Sequence, residues 1–161
     1  ELMMIDRIHT IAYQPFLNHA AKEKWKTALS DEVITEILDL TENHPYYVNA
    51  LCRKLWRDDT APTLSDVRNA WHDYVEKQSV WIIDDFSQLT LNRKKVLMAL
   101  AVQFTTEPQG LEFTRRTELS PSGVKKCIDD LQKIDMIYCD AQRRYKILDP
   151  AIAYFLRQSA G

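Results

Sequence analysis

Glycine is scarce in this chain of 161 residues, which contains only three. A loop that wraps phosphate groups needs closely spaced glycines, so the sequence contains neither a P-loop nor a dinucleotide-binding fingerprint.

Cysteine is also scarce. Three cysteines without CxxC pairing argue against a disulfide framework or a zinc knuckle and suit a reducing compartment. No apolar run approaches the roughly 20 residues of a membrane-spanning helix, and no basic-then-apolar leader is present. We therefore expect a cytoplasmic protein without a membrane partner.

Apolar residues make up 45% of the chain and charged residues 27%, which is enough for a packed core. The charge is divided unevenly. Residues 1–90 carry 9 Lys and Arg against 15 Asp and Glu, a net charge of -6, whereas residues 91–161 carry 12 against 8, a net charge of +4. This asymmetry indicates two modules with different partners, although +4 is modest for a dedicated DNA-binding domain. The chain begins at Glu1 rather than at methionine, so we expect it to be a fragment of a longer protein.

The first half is predicted to be helical after an extended lead-in. Alternating apolar residues up to Pro15 predict extended chain over residues 1–17. Ser30 is a typical helix cap, Pro45 is a favourable first helical residue, and Thr63 with Asp66 resembles a capping box. The predicted helices are Asn18–Leu29, the helix after Ser30, Tyr46–Trp56 and Leu64–Lys77, and an aromatic and apolar stretch, Val80–Leu89, leads into the second half.

The second half has the element order of a winged helix, which is a helix-turn-helix with an attached β-hairpin. Its predicted elements are helices at Asn92–Gln103, Phe113–Glu118 and Pro121–Lys133, a hairpin around the polar tip Asp140–Arg144, and a last helix from Pro150 to Arg157. Seven apolar residues recur on single faces of these elements and are predicted to share one core: Leu97, Leu100, Val124, Ile128, Leu131, Ile137 and Ile147. The predicted fold is mainly α, a helical bundle followed by a winged helix.

Two segments resemble a known family. The segment Leu40–Leu51 reads LTENHPYYVNAL and is followed by Lys54-Leu55-Trp56. It resembles the T-x-G-H-P-Y-Y-x-Q-x-L … L-W segment of archaeal-type P-loop ATPases, AAA-related proteins of the STAND group, in which a nucleotide-binding domain is followed by a helical lid and a winged helix. The second segment begins with Ser120-Pro121-Ser122-Gly123-Val124 and ends in Asp149-Pro150-Ala151-Ile152-Ala153-Tyr154-Phe155-Leu156. It resembles the winged helix of the same ATPases.

The resemblance spans most of residues 33–157 and implies three parts. Residues 1–17 would be the tail of a missing N-terminal P-loop domain, residues 18–89 the helical lid, and residues 90–161 the winged helix. The missing domain would carry Walker A and Walker B, and with them ATP or ADP and Mg²⁺. Within the chain we therefore expect no cofactor, no catalytic residue and at most weak ATP binding. Its four histidines have no metal-ligand spacing, so no metal site is predicted.

In the family, the G-x-P signature of the lid lies against the adenine of the nucleotide. Mapped onto this chain, the contact falls on Pro45, with Asn43, His44 and Tyr46 beside it. A proline ring is flat and rigid and has no competing N–H, which suits packing on a purine. Asn43 replaces the family's glycine, and asparagine tolerates left-handed backbone better than other non-glycine residues. The alternative is that Asn43-His44-Pro45 is only a helix end followed by a proline-led helix start.

The winged helix has a candidate DNA-binding surface made of cations and hydroxyls that would hold phosphates. Its members are Arg115, Arg116, Ser122, Lys125, Lys126, Lys133, Arg143, Arg144 and Lys146. The third helix is also expected to carry Asp129, Asp130 and Asp135, which repel phosphate. Two alternatives to the ATPase module therefore stay open: a winged-helix transcriptional regulator that binds duplex DNA, and a module whose winged helix binds another protein.

Overall fold

The computed structural model describes residues 7–161. These residues form eight α-helices and one antiparallel hairpin: α1 Thr10–Trp25, α2 Asp31–Leu40, α3 Pro45–Leu55, α4 Leu64–Ser87, α5 Leu91–Val102, α6 Leu111–Thr117, α7 Pro121–Lys133, β1 Ile137–Cys139, β2 Tyr145–Ile147 and α8 Pro150–Ala160. The predicted fold class, mainly helical with a hairpin wing, is confirmed. The chain divides into two compact units between Glu76 and Lys77, within α4. Of the described helices, none has the length and apolar character that crossing a membrane requires.

The extended lead-in predicted for residues 1–17 is wrong from Thr10 onward, whereas the backbone of His9 is extended. Residues 1–6 lie outside the described part, but α1 already begins at Thr10 and contains Pro15. Tyr13, Leu17 and Ala21 recur every four residues and are buried. Burial of this stripe outweighs both the strand-like alternation and the local penalty for a proline inside a helix. The helix ends at Trp25, and Lys26 follows in the left-handed conformation with φ 61°.

The next three helices begin at the predicted caps. The Ser30 hydroxyl accepts a hydrogen bond from Val33 N at 3.3 Å at the start of α2. Thr63 and Asp66 form a reciprocal capping box: Thr63 N donates to Asp66 Oδ2 at 2.8 Å, and Asp66 N donates to Thr63 Oγ1 at 3.3 Å. The prediction that α4 ends at Lys77 is wrong, because the helix continues to Ser87. No glycine or proline interrupts α4, and the helix continues into the aromatic and apolar stretch that begins at Val80.

The second unit has one hydrophobic core, and all seven residues predicted to share it do so. The core is supplied by α5, α6, α7, α8 and the hairpin, together with Leu89. Phe113 and Leu131 are among the largest fully buried side chains. The structure adds one connection that the sequence did not predict: Tyr145 N donates to Thr105 O at 2.8 Å, so the loop after α5 pairs with β2.

The wing is a short hairpin in which Tyr138 pairs with Lys146 and Cys139 with Tyr145. Its tip is organised by Asp140, whose Oδ1 accepts from the backbone N–H groups of Gln142 at 3.0 Å and Arg144 at 2.9 Å. Arg144 Nε also donates to Asp140 Oδ2 at 2.6 Å. Partial burial raises the pKa of Asp140, but these hydrogen bonds outweigh it and hold the pKa below its usual range.

Candidate functional site

The loop between α2 and α3 has two consecutive left-handed residues, neither of which is glycine. Glu42 has φ 49° and Asn43 has φ 57°. Asn43 N donates to Leu38 O at 3.0 Å and Glu42 N donates to Asp39 O at 3.2 Å, which is the hydrogen-bond pattern of a Schellman motif. The chain therefore reverses direction tightly at the end of α2, and His44 lies directly before the start of α3. Asn43 is one of these left-handed residues, and asparagine tolerates this conformation better than other non-glycine residues.

Residues just before and at the start of α1 form an ion pair and hydrogen bonds with this loop. Arg7 Nη2 donates to Glu42 Oε2 at 2.9 Å, and each of these side chains is about one-fifth exposed. Ile8 N donates to Asn43 O at 3.3 Å, and Asn43 Nδ2 donates to Thr10 Oγ1 at 3.2 Å. No sequence motif identified Arg7 or Thr10 as part of this site, because their contacts with Glu42 and Asn43 join positions more than 30 residues apart.

The four residues predicted to contact nucleotide are adjacent and partly accessible. Asn43, His44 and Pro45 are half-buried, whereas Tyr46 is 61% exposed. Pro45 is the first residue of α3, and the side chain of the cap residue His44 makes no capping hydrogen bond. The first turn of α3 thus combines an accessible proline ring, an exposed aromatic ring and a helix N-terminus. This combination is compatible with packing on a flat heterocycle beside an anionic group.

Behind Tyr46, the aromatic side chains are mainly structural. Tyr47 makes edge-on contacts with the rings of His44, Tyr46, Trp71 and Tyr74, with centroid separations from 5.1 to 6.0 Å. Trp71 is fully buried. The cluster fixes the start of α3 against α4, which is the core role that aromatic residues at helical spacing usually have. Of the rings named here, only Tyr46 lies largely in solvent.

On the winged helix, several predicted DNA-binding residues are engaged within the chain. Arg116 Nη1 donates to Ala99 O and to Gln103 O, both at 3.2 Å. Lys125 Nζ lies 2.8 Å from Asp129 Oδ2, and Arg144 is held by Asp140. These cations already have anionic or carbonyl partners, which reduces what they offer to phosphate.

The remaining cations of that set make no ion pair with any described residue: Arg115, Lys126, Lys133, Arg143 and Lys146. All except the half-buried Lys146 are exposed. Ser122 is exposed, and its hydroxyl lies 3.2 Å from that of Ser120. A reduced set of available cations is therefore distributed over α6, α7 and the wing, with Asp129 and Asp130 on α7 itself.

Two further findings bear on chemistry. Burial raises the pKa of the half-buried Cys52 thiol to about 12, which disfavours the nucleophilic thiolate at neutral pH. Among the described residues, no three His, Cys, Asp or Glu side chains are grouped so that they would hold a metal ion.

The hairpin and the three preceding helices define the class of this part of the chain. Residues 83–158 match a family model described as "Probable winged helix domain". The chain therefore contains a winged-helix domain.

One solved structure is similar over nearly the whole chain. It is a Walker-type ATPase of Pyrococcus abyssi, with a TM-score of 0.66 and 15% sequence identity over 94% of this chain. The chain spans 42% of the length of that solved chain. At this identity the similarity establishes a shared fold. No curated protein matches the sequence.

Proposed function

We propose that this chain is the C-terminal regulatory module of an ATP-binding ATPase of the AAA-related STAND group. In this proposal residues 18–89 form a lid over a nucleotide held by a preceding P-loop domain. Residues 90–161 are the winged helix that passes the nucleotide state to a macromolecular partner. The observation that carries the proposal is the fold similarity to a Walker-type ATPase, which extends over 94% of this chain.

The loop geometry supports a nucleotide contact at Pro45. The Schellman motif and the hydrogen bonds from Ile8 and to Thr10 hold Asn43 in place, so the ring of Pro45 is presented on a constrained backbone. A preorganised apolar surface loses little entropy on binding. Tyr46, exposed beside it, extends the flat surface. The chain has no phosphate-binding loop, so the phosphates and Mg²⁺ would be held by the preceding domain, which supplies most of the binding energy.

The proposal is tested by replacing Pro45 with alanine in the protein that includes the P-loop domain. Alanine is acceptable at a first helical position, so the fold should survive. Loss of the ring contact should weaken ADP binding by about 1 kcal/mol, roughly fivefold. Pro121→Ala is the matched control, because Pro121 is also a first helical residue but lies on α7. Equal ADP affinity of both variants in calorimetry would remove the nucleotide role of this loop.

Two kinds of partner for the winged helix stay open, duplex DNA and protein. The intrachain contacts of Arg116, Lys125 and Arg144 favour a protein partner, because they leave a phosphate-binding surface incomplete. If duplex DNA were the partner, the five cations without an ion pair would each release a counterion. The logarithm of the affinity would then fall with the logarithm of salt concentration with a slope of about -4 to -5. A slope near zero in fluorescence anisotropy would exclude DNA as the partner.

A further inference from the structure

The outer face of α4 after Lys77 carries two large apolar side chains in solvent. Val80 is 73% exposed and Trp81 is 71% exposed. Lys77 and Asp84 are exposed on the same side of α4, and Gln88 continues that side in the turn after Ser87, since positions 77, 80, 81, 84 and 88 follow the three- and four-residue spacing of one helical face. We call these five residues the Trp81 face. Tryptophan is seldom left in water and is enriched among residues that dominate protein interfaces.

The Trp81 face points away from the core of its own unit. Ile82 is buried on the opposite side of α4, and Phe86 packs against the core of this unit, which Leu89 joins after the helix ends. Lys77 makes no ion pair with any described residue. Among the described residues, the only side-chain hydrogen bond to the Asp84 carboxylate comes from Gln88 Nε2 at 3.4 Å. Both charges are therefore available to a partner.

The order of the residues on the face is self-complementary. Lys77 and Asp84 lie at equal distances on either side of the Val80–Trp81 pair, about 10 Å apart along the helix axis. In an antiparallel pair of α4 helices related by a two-fold axis between positions 80 and 81, Lys77 of each copy faces Asp84 of the other. Val80 then faces Trp81. A parallel pair would place lysine against lysine and aspartate against aspartate.

We propose that two copies of this chain associate through the Trp81 face as an antiparallel, two-fold symmetric helix pair. A closed dimer follows because the same surface is used by both copies, so no further copy can be added. The contact is about three helical turns long, and interfaces of this size are weak. The association is therefore expected in the micromolar-to-millimolar range, and it is independent of the nucleotide role proposed above.

Sedimentation equilibrium of the full chain over ~10 µM to ~1 mM tests the proposal, with circular dichroism confirming that each variant is folded. The expected result is a monomer–dimer equilibrium. Trp81→Ala should weaken it by ~10-fold or more, as the loss of a central tryptophan does. Leu111→Ala is the control, since Leu111 is 66% exposed but lies on α6. It should leave the equilibrium unchanged.

Charge exchange tests the orientation. Lys77→Glu and Asp84→Lys should each weaken the dimer, because each places two like-charged pairs in the interface. The double variant should restore it, because the pairs are re-formed with exchanged signs. A monomer at all concentrations, a dimer that survives Trp81→Ala, growth beyond the dimer, or a double variant no better than the single ones would each overturn the proposal.

Discussion

Two adjacent arginines on α6 have different roles, and their replacement by methionine should separate them. Arg116 donates from Nη1 to Ala99 O and Gln103 O at the C-terminus of α5, and its guanidinium carbon lies 5.0 Å from the centre of the buried Phe113 ring. Arg115 is exposed and makes no ion pair with any described residue. Both substitutions remove one positive charge, so any difference between them comes from these contacts.

The cost of Arg116→Met can be worked out from its contacts. The two hydrogen bonds share the single donor atom Nη1, so together they contribute about 1.5 kcal/mol net, and a cation at a helix C-terminus adds about 0.3–1 kcal/mol. Ala99 O keeps its hydrogen bond from Gln103 N, so no orphaned carbonyl is created there. Glu112, at 3.8 Å and 81% exposed, contributes little. Since methionine keeps the apolar contact with Phe113, the expected loss is about 2 kcal/mol. Arg115→Met should change stability by less than about 0.5 kcal/mol.

Urea unfolding of the full chain measures this difference, and hydrogen exchange reports where it arises. A loss of about 2 kcal/mol should lower the midpoint of the winged-helix unit by about 1 M urea. Amide protection should fall first at the end of α5. Equal midpoints for Arg115→Met and Arg116→Met, or an unchanged midpoint for Arg116→Met, would refute the capping role and return Arg116 to the candidate DNA-binding surface.

Three further outcomes are expected. Leu131→Ala, in the centre of the second core, should destabilise by about 2–5 kcal/mol, and an unchanged melting temperature would contradict its place there. Because the pKa of Asp140 is lowered on folding, its contribution to stability is present at neutral pH and is lost as the pH falls from about 4 through the folded-state value. The difference in unfolding free energy between the wild type and Asp140→Asn should therefore shrink between pH 7 and pH 3, and a constant difference would count against it. The chain alone should bind ATP weakly or not at all, so micromolar affinity in calorimetry would contradict the assignment of phosphate binding to another domain.

Local chemistry was enough to predict where several helices begin. Ser30, the Thr63–Asp66 box and Ser120-Pro121 satisfy or replace N–H groups within three residues of themselves, so the signal is complete in the sequence. The hairpin was predictable for a related reason: two apolar strands flank a polar tip. The core residues of the winged helix were predictable from the spacing of apolar residues on single faces. The helix-turn-helix order of the elements indicated how those faces meet.

The ends of α1 and α4 were not predictable, because their local signals point the other way. Alternating residues and Pro15 favour a lead-in, yet the burial of Tyr13, Leu17 and Ala21 makes the segment helical. The apolar residues after Lys77 are distributed around most of the helix circumference. Their spacing therefore did not distinguish a helix from an irregular connection.

By itself, the sequence determined the helix caps, the wing and the residues of the second core, because these depend on interactions within a few residues or on one helical face. Only the tertiary structure decided that Arg116 caps α5 while its neighbour Arg115 lies in solvent, and that Arg7 and Thr10 hold the Glu42–Asn43 turn. Such contacts join residues 13 to 35 positions apart. The partner of a polar side chain depends on which parts of the chain the buried apolar residues bring together. The identity of the polar residue alone does not show which part of the chain that is.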